Sequence, residues 1–540
     1  MPIDFTPWPE AFARQYRDKG YWRGAPLTEI LHCACGRHPN ATALICGERH
    51  VTYAELDAWS SRLASALARR GVARGDTALV QLPNIAEFYI VFFALLKLGA
   101  APVNALFSHD RVEMTAYAEQ LQPKLLIACA EHRLFADDAF VKALRRMIPA
   151  LSVVAIHGGA DYGEDLSSLW EVEDDSPLAD LRPSAPDQVA FFQLSGGSTG
   201  VPKLVPRTHD DYYYSVRRST EICRLTPASR YLCALPAPHN FPLSSPGALG
   251  VFHAGGTVVM ARNPSANLCF ELMRRHKVDF TAIVPTIAAL WLDAAGDAAL
   301  EAPKLAVLQV GGARLSEVLA RRIPDVFGCR LQQVFGMAEG LVSYTRLDDD
   351  SERILSTQGR PMSPDDELKV VNADGAQAGI GEVGELLTRG PYTIRGYYRC
   401  PEYNARAFDA EGFYRTGDFV VMTADGYLQV VGRKKDQINR GGEKIPAEEI
   451  ENLLLRHDAV VHAALIAIPD SLMGEKSCAY IVASDAALRP IALRKHLRLQ
   501  GVAEFKLPDR FEFVDRLPLT AFGKIDKQTL RNDIQAKLNV

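Results

Sequence analysis

Long apolar runs are scarce in this 540-residue chain. The strongest, FYIVFFALL at residues 88–96, stops at Lys97 after nine residues, about half of what a bilayer requires, so a membrane span is excluded. An excess of positive charge is also missing. With 60 Lys and Arg against 65 Asp and Glu the net charge is −5, which leaves no electrostatic footprint for nucleic acid. The ten cysteines have no framework spacing, which excludes a disulfide scaffold and suits reduced thiols in a cytoplasmic enzyme. His32, Cys33, Cys35 and His38 lie close together, but a Cys-x-Cys gap is too short for a zinc knuckle and no second pair follows at finger spacing. The first residues carry Asp4 and Glu10 without a basic start or an apolar core, so no signal peptide is expected. Internal repeats and low-complexity linkers are absent too.

What is present is a length and a 48% hydrophobic content sufficient for large cores in more than one domain. Strand-like runs at 77–82, 124–130, 151–158, 281–285 and 305–312 alternate with helical patterns, among them 56–71, which Gly71 closes. The alternation predicts parallel α/β layers. Asn84 and Glu87 before the 88–96 run read as a capping box for a buried helix. The segment 381–399 is shorter and glycine-punctuated, more like antiparallel β. Beyond Arg433 the character changes. Residues 434–540 hold 17 Lys and Arg against 15 Asp and Glu, a net of +2, where the rest of the chain carries −7.

Residues 194–203 read LSGGSTGVPK. Gly196, Gly197 and Gly200 permit positive φ and close approach, Ser195, Ser198 and Thr199 bring hydroxyls, and Lys203 brings a cation, so the backbone can wrap several phosphate oxygens. The preceding VAFFQ reads as a buried strand, which puts the loop where α/β sheets bind nucleotides. The spacing is not that of the Walker loop, and alone such a run is equally a flexible connector.

Five further blocks follow in order: LQVGGARLS (308–316), QQVFGMAEG (332–340), YRTGDFV (414–420), GRKKDQINRGGEKI (432–445) and LPLTAFGKIDK (517–527). On these the chain resembles the adenylate-forming superfamily of acyl-CoA synthetases, luciferases and peptide-synthetase adenylation domains, from about Leu27 to the C-terminus. The opening FTPWPEAFARQYRDKGYW, with PRTHDDYYYSVRRS, HNFPLSSPG and INRGGEKIPAEEIENLLLRH, is similar to the stand-alone 2,3-dihydroxybenzoate-activating subgroup of siderophore pathways. The resemblance implies a large N-terminal part, residues 1–433, with two α/β layers and a small β-barrel, and a mobile α+β lid, residues 434–540.

It also implies the chemistry. A carboxylate attacks the α-phosphorus of ATP and expels pyrophosphate, so cations must serve both nucleophile and leaving group. Lys524, after Gly523, matches the lysine that bridges carboxylate and α-phosphate. Glu339 suits Mg²⁺, although Ala338 stands where a threonine is common. Gly311, Gly312 and Ala313 leave room for adenine. Val334 and Phe335, before Gly336, offer the purine an apolar face, and Phe335 is equally a core residue. Asp418 matches the carboxylate that takes the ribose hydroxyls, Arg433 should reach the same sugar or the phosphate, and Lys435 matches the hinge about which the lid turns.

The acid pocket falls on HNFPLSSPG. Amino-acid-activating relatives need an aspartate here to pair a buried α-ammonium, whereas this chain has Asn240 and no Asp or Glu between Tyr231 and Gly256. That points to an aryl acid: Asn240 can donate to a carboxylate or an ortho hydroxyl, Phe241 makes a wall, and Ser245 can bond a 3-hydroxyl. Ser245 favours 2,3-dihydroxybenzoate and Phe241 leans toward salicylate. A non-catalytic scaffold would lack Lys524, Glu339 or Asp418, and all are present. His239 is either a gate to a pantetheine tunnel or a core histidine. The expected acceptor is the phosphopantetheine thiol of an aryl carrier protein, docked near Arg440 and Lys476 on the positive lid. The alternative acceptor is free coenzyme A.

Overall fold

A computed structural model describes the chain except for residues 1, 172–177, 179–180, 196–202, 297–301, 373, 434–435, 441–442, 471–472, 521–522 and 539–540. Among the described residues no helix is long and apolar enough to cross a membrane.

Two largely parallel sheets form the N-terminal part. One runs in the order Glu164–Asp165, Val153–His157, Leu125–Cys129, Thr77–Gln81, Ala101–Ala105, Val189–Leu194, Leu204–Thr208. The other has Arg330–Gly336, Val307–Gly311, Phe280–Ile283, Arg230–Cys233, Thr257–Met260 and Thr42–Cys46 as its parallel interior. The interior strands Thr77–Gln81, Ala101–Ala105 and Leu125–Cys129 are buried along their whole length, because both faces are covered.

Helix Ala86–Leu98 supplies much of that cover, and all but Lys97 of its residues are buried. Its aromatic rings Phe88, Tyr89, Phe92 and Phe93 stack edge-to-face with one another and with Phe191 and Phe252. Each such side chain taken from water contributes about 1.5–3 kcal/mol. The capping box expected at its start is not there. Asn84 donates to the carbonyls of Leu235 and Ala261 and accepts from the Ala237 N–H, and Glu87 pairs with Arg49 at 2.5 Å. A tertiary partner outcompetes the local cap, because a buried backbone carbonyl left unbonded costs more than a solvated helix end. The helix beginning at Tyr53, by contrast, does carry a capping box, from Thr52 and Glu55.

Strands Glu367–Val371, Val383–Arg389, Tyr414–Met422 and Leu428–Arg433 form an antiparallel sheet. It is an open four-stranded sheet, and the small barrel expected from the resemblance is not closed among the described residues: Glu367–Val371 and Leu428–Arg433 are its two edges.

After Arg433 a separate α+β layer begins. Gln437–Arg440, Glu443–Pro446, Val460–Asp470, Gly474–Ala483 and Arg510–Phe513 build its sheet. Its apolar side chains form two clusters of their own, one around Ile450 and Leu493, the other around Tyr480 and Ile534. A unit with its own core can move as a body.

Candidate active site

The C-terminal ends of Val307–Gly311 and Arg330–Gly336 open onto a cavity of about 990 Å³ between the large sheet and the C-terminal layer. Gly312 (φ +83°) turns the chain at the first of these ends. Ala313, Val334, Phe335 and Gly336 line one side of the cavity, Asp418 and Arg433 another, and Lys524 a third.

Pairing of Tyr414–Met422 with Leu428–Arg433 sets Asp418 opposite Arg433. Asp418 is buried, its backbone N–H donates to Thr416 Oγ1, and Arg433 Nε meets Asp418 Oδ1 at 2.7 Å. The Asp418 carboxylate holds the Arg433 guanidinium above its usual pKa. Two neighbours in a β-ladder thus place a carboxylate and a fixed cation at one cavity wall.

Glu339 lies in the turn after Arg330–Gly336 and is 6% exposed. Tyr397 donates its hydroxyl to Glu339 Oε1 at 2.7 Å and stands 2.9 Å from the Tyr414 hydroxyl. Burial raises the Glu339 pKa. A buried carboxylate with one oxygen held by a phenol fits a hard cation, which would supply the counter-charge. Arg207, ion-paired with Asp211 at 2.7 Å, donates to the Ala338 carbonyl at 2.9 Å and fixes the same turn. Neither Tyr397 nor Arg207 was legible in the sequence as a site residue: Tyr397 is one of a tyrosine pair inside the glycine-punctuated 381–399 segment, and Arg207 lies within the PRTHDDYYYSVRRS block.

Of the glycine-rich loop, Ser195 and Lys203 are described. They close the loop's neck with two hydrogen bonds, and the Lys203 ammonium sits 4.0 Å above the Tyr403 ring. Tyr403 packs edge-on against Tyr397, so the lysine is delivered to the side of Glu339. Gly196, Gly197, Ser198, Thr199 and Gly200, and the expected hinge Lys435, lie outside the described residues.

Lys524 comes from the C-terminal layer. Gly523 (φ +76°) makes the turn, and the Thr286 hydroxyl of the large part donates to the Gly523 carbonyl. A Cβ placed on Gly312 would stand 3.3 Å from Lys524 Cε and 3.7 Å from Nζ. The lysine therefore reaches the glycine turn at the sheet's end. Three residues on, the buried Lys527 pairs with Glu451 at 2.7 Å. Burial alone would lower its pKa, and Glu451 with Asp436 outweighs that. Nearby, burial lifts the Glu448 carboxyl to about 7, helped by Glu451 and opposed by Arg314.

His239, Asn240, Phe241 and Ser245 are not among the residues that line the large cavity; they form a floor beneath the Gly311–Gly312 turn, on the far side from Lys524. The Phe241 ring fills the space where a Cβ on Gly311 would be, at 3.0–3.2 Å. His239 caps the short helix Asn240–Ser244, its Nδ1 accepting from the Phe241 N–H, and burial and then Lys524 push its pKa well down. Asn240 Oδ1 accepts from the Tyr212 hydroxyl at 2.9 Å. Ser245 is buried close to the Tyr344 hydroxyl, which donates to Ser219. Arg440 and Lys476 face neither cavity nor floor. Arg440 makes a bidentate pair with Asp509, and Lys476 meets Asp470 at 2.6 Å.

The sequence matches the AMP-binding enzyme family over residues 31–398 and the AMP-binding enzyme C-terminal domain over 449–524. The chain belongs to the AMP-binding enzyme family. Among its relatives are enterobactin synthase component E of Escherichia coli, 58% identical over 98% of both chains, and the vibriobactin-specific 2,3-dihydroxybenzoate-AMP ligase of Vibrio cholerae, 49% identical over 98% of both. Among solved structures, the apo structure of MbtA from Mycobacterium smegmatis is 42% identical with a TM-score of 0.76, over 98% of each chain. The two α/β sheets and the C-terminal layer are thus the adenylate-forming fold, and the glycine turn, the Asp418–Arg433 pair and Lys524 meet at the place where that fold's two parts face each other.

Proposed function

We propose that this AMP-binding enzyme is an ATP-dependent aryl-acid ligase that activates 2,3-dihydroxybenzoate and passes it to a carrier thiol in siderophore assembly. The observation that carries the reading is Lys524, seated at the Gly312 turn one layer from a floor that holds Asn240 and no carboxylate between Tyr231 and Gly256. A carboxylate anion finds a cation there, and an α-ammonium finds no counter-ion.

In the first half-reaction a carboxylate oxygen of the acid attacks the α-phosphorus of ATP, the bond to the β-phosphate breaks, and pyrophosphate leaves. Lys524 neutralises charge between the acid and the α-phosphate. Asp418 accepts the ribose hydroxyls, Arg433 steadies Asp418, and the 195–203 loop with Lys203 takes the outer phosphates. Adenine lies between the Gly312–Ala313 turn and Val334–Phe335. Glu339 would hold Mg²⁺, which lowers the charge on the leaving pyrophosphate when bound. In the second half-reaction the phosphopantetheine thiol of an aryl carrier protein attacks the acyl carbon and AMP leaves, after the C-terminal layer has turned near Lys435 and carried Lys524 away. Both docking candidates are ion-paired, Arg440 with Asp509 and Lys476 with Asp470, and Lys476 is the more exposed of the two.

Asn240 reads the ortho hydroxyl, and Ser245 reads the 3-hydroxyl. The Vibrio cholerae relative, a 2,3-dihydroxybenzoate-AMP ligase by name, supports that choice of acid; Phe241 is the feature that favours salicylate instead. ATP–pyrophosphate exchange with benzoate, salicylate, 2,3-dihydroxybenzoate and several amino acids tests the reading. The highest kcat/KM is expected with 2,3-dihydroxybenzoate, and Ser245→Ala should narrow its lead over salicylate by about tenfold, one hydrogen bond's worth. A best substrate among the amino acids would overturn it.

A further inference from the structure

Asn240 is an ambiguous reader by itself, because its amide presents a donor and an acceptor of nearly the same shape. The side that faces the acid depends on what holds the other side. Helix His209–Ile222 brings Tyr212 beneath it, wholly buried, with its ring edge-to-face on Phe191 at 4.7 Å and under the Arg207 guanidinium at 5.0 Å. Gln193, buried on strand Val189–Leu194, donates from Nε2 to the Tyr212 hydroxyl at 3.3 Å. That hydroxyl donates to Asn240 Oδ1 at 2.9 Å, and the Ser244 hydroxyl approaches the same oxygen at 3.4 Å. No described residue accepts from Asn240 Nδ2, although the side chain is only partly buried.

The order of donors has a consequence. Gln193 occupies the phenol oxygen as an acceptor, so the phenol's one proton goes to Asn240. Oδ1 is thereby held against the phenol, and the NH₂ group is left as the side without a described acceptor. We infer that Tyr212, held by Gln193, is a positioning residue that fixes the amide of Asn240 and so makes the pocket select an acid bearing an ortho oxygen. The inference rests on the reading that Asn240 meets the ortho hydroxyl. Without the phenol the amide can turn over and present Oδ1, which only accepts: it repels a phenolate, and it finds no proton on an ortho hydroxyl that has already donated to the acid's own carboxylate.

The experiment compares kcat/KM for salicylate and benzoate in ATP–pyrophosphate exchange, benzoate having no ortho oxygen to read. Tyr212→Phe keeps the ring that packs on Phe191 and should lower the salicylate-to-benzoate ratio about three- to tenfold with the KM for ATP unmoved. In an Asn240→Ala background the same substitution should leave the ratio where Asn240→Ala alone puts it. Gln193→Met, which removes only the donor behind the phenol, should lower the ratio in the same direction by less, and it decides the matter should Tyr212→Phe not fold. If Asn240→Ala collapses the ratio while Tyr212→Phe and Gln193→Met leave it intact, Tyr212 does not orient the amide. A loss that persists in the Asn240→Ala background would overturn the route through Asn240. If Asn240→Ala itself leaves the ratio unchanged, the assignment of Asn240 fails, and the positioning role with it.

Discussion

The floor around Asn240 and the turn bearing Lys524 stand on opposite sides of one glycine turn, yet they are built on different terms. The floor is buttressed from behind. Phe241 packs on Gly311, the phenol of Tyr212 and the hydroxyl of Ser244 converge on one oxygen, and Tyr344 with Ser219 backs Ser245. The lysine turn meets the large part at Thr286 and Gly312, with Val284 and Ile287 beside Gly523, and is tied to its own layer through Lys527 and Glu451. Recognition needs groups that do not move, whereas a cation required in one half-reaction must be removable for the next.

The sharpest way to break this comparison is to delete the removable cation. Lys524→Ala should reduce adenylation by on the order of 10²–10³, and leave transfer from supplied aryl-adenylate to a carrier nearly intact. Separate assays of the two half-reactions check it, and equal losses would mean that the turn does not leave. A milder probe loosens the seat. Thr286→Val removes the hydroxyl that meets the Gly523 carbonyl and should slow adenylation by about three- to tenfold, again without harm to transfer.

The smallest effect concerns Glu448, beside Arg314 at the junction. Its carboxyl is lifted by burial to about 7, above its ordinary value of 4.5, so the folded state binds this proton more tightly than the unfolded chain. Its contribution to stability is therefore most favourable below about pH 4.5 and is lost as the pH rises to about 7. Glu448→Gln should raise Tm at pH 8 by on the order of 1–3 °C relative to its effect at pH 5. A Tm difference that does not vary with pH would place Glu448 in water.

Elements that satisfy themselves locally were legible. The strands expected at 77–82, 124–130, 151–158, 281–285 and 305–312 came within a residue or two of their observed bounds, because a strand covered on both faces is largely apolar; others, such as Thr42–Cys46 and Arg330–Gly336, were not read. Where a side chain had a distant partner, the local reading misled. Asn84 looked like a cap and is a brace between two loops, at Leu235 and Ala261, that lie 151 and 177 residues away. The barrel was expected from resemblance, and among the described residues the ladder remains open because its edge strands do not meet.

By itself the sequence determined the order of chemistry along the chain: a phosphate-suited loop, a lone glutamate, an Asp in a turn, a lysine after a glycine, and a pocket segment without a carboxylate. Those are properties of residue type, and residue type is what sequence contains. Only the tertiary structure decided which way each group faces and what holds it. Asp418 gains Arg433 through strand register, Glu339 gains Tyr397 from 58 residues away, and the amide of Asn240 is oriented by a phenol on another helix. Direction depends on partners brought together by packing, and no single stretch of chain carries both partners.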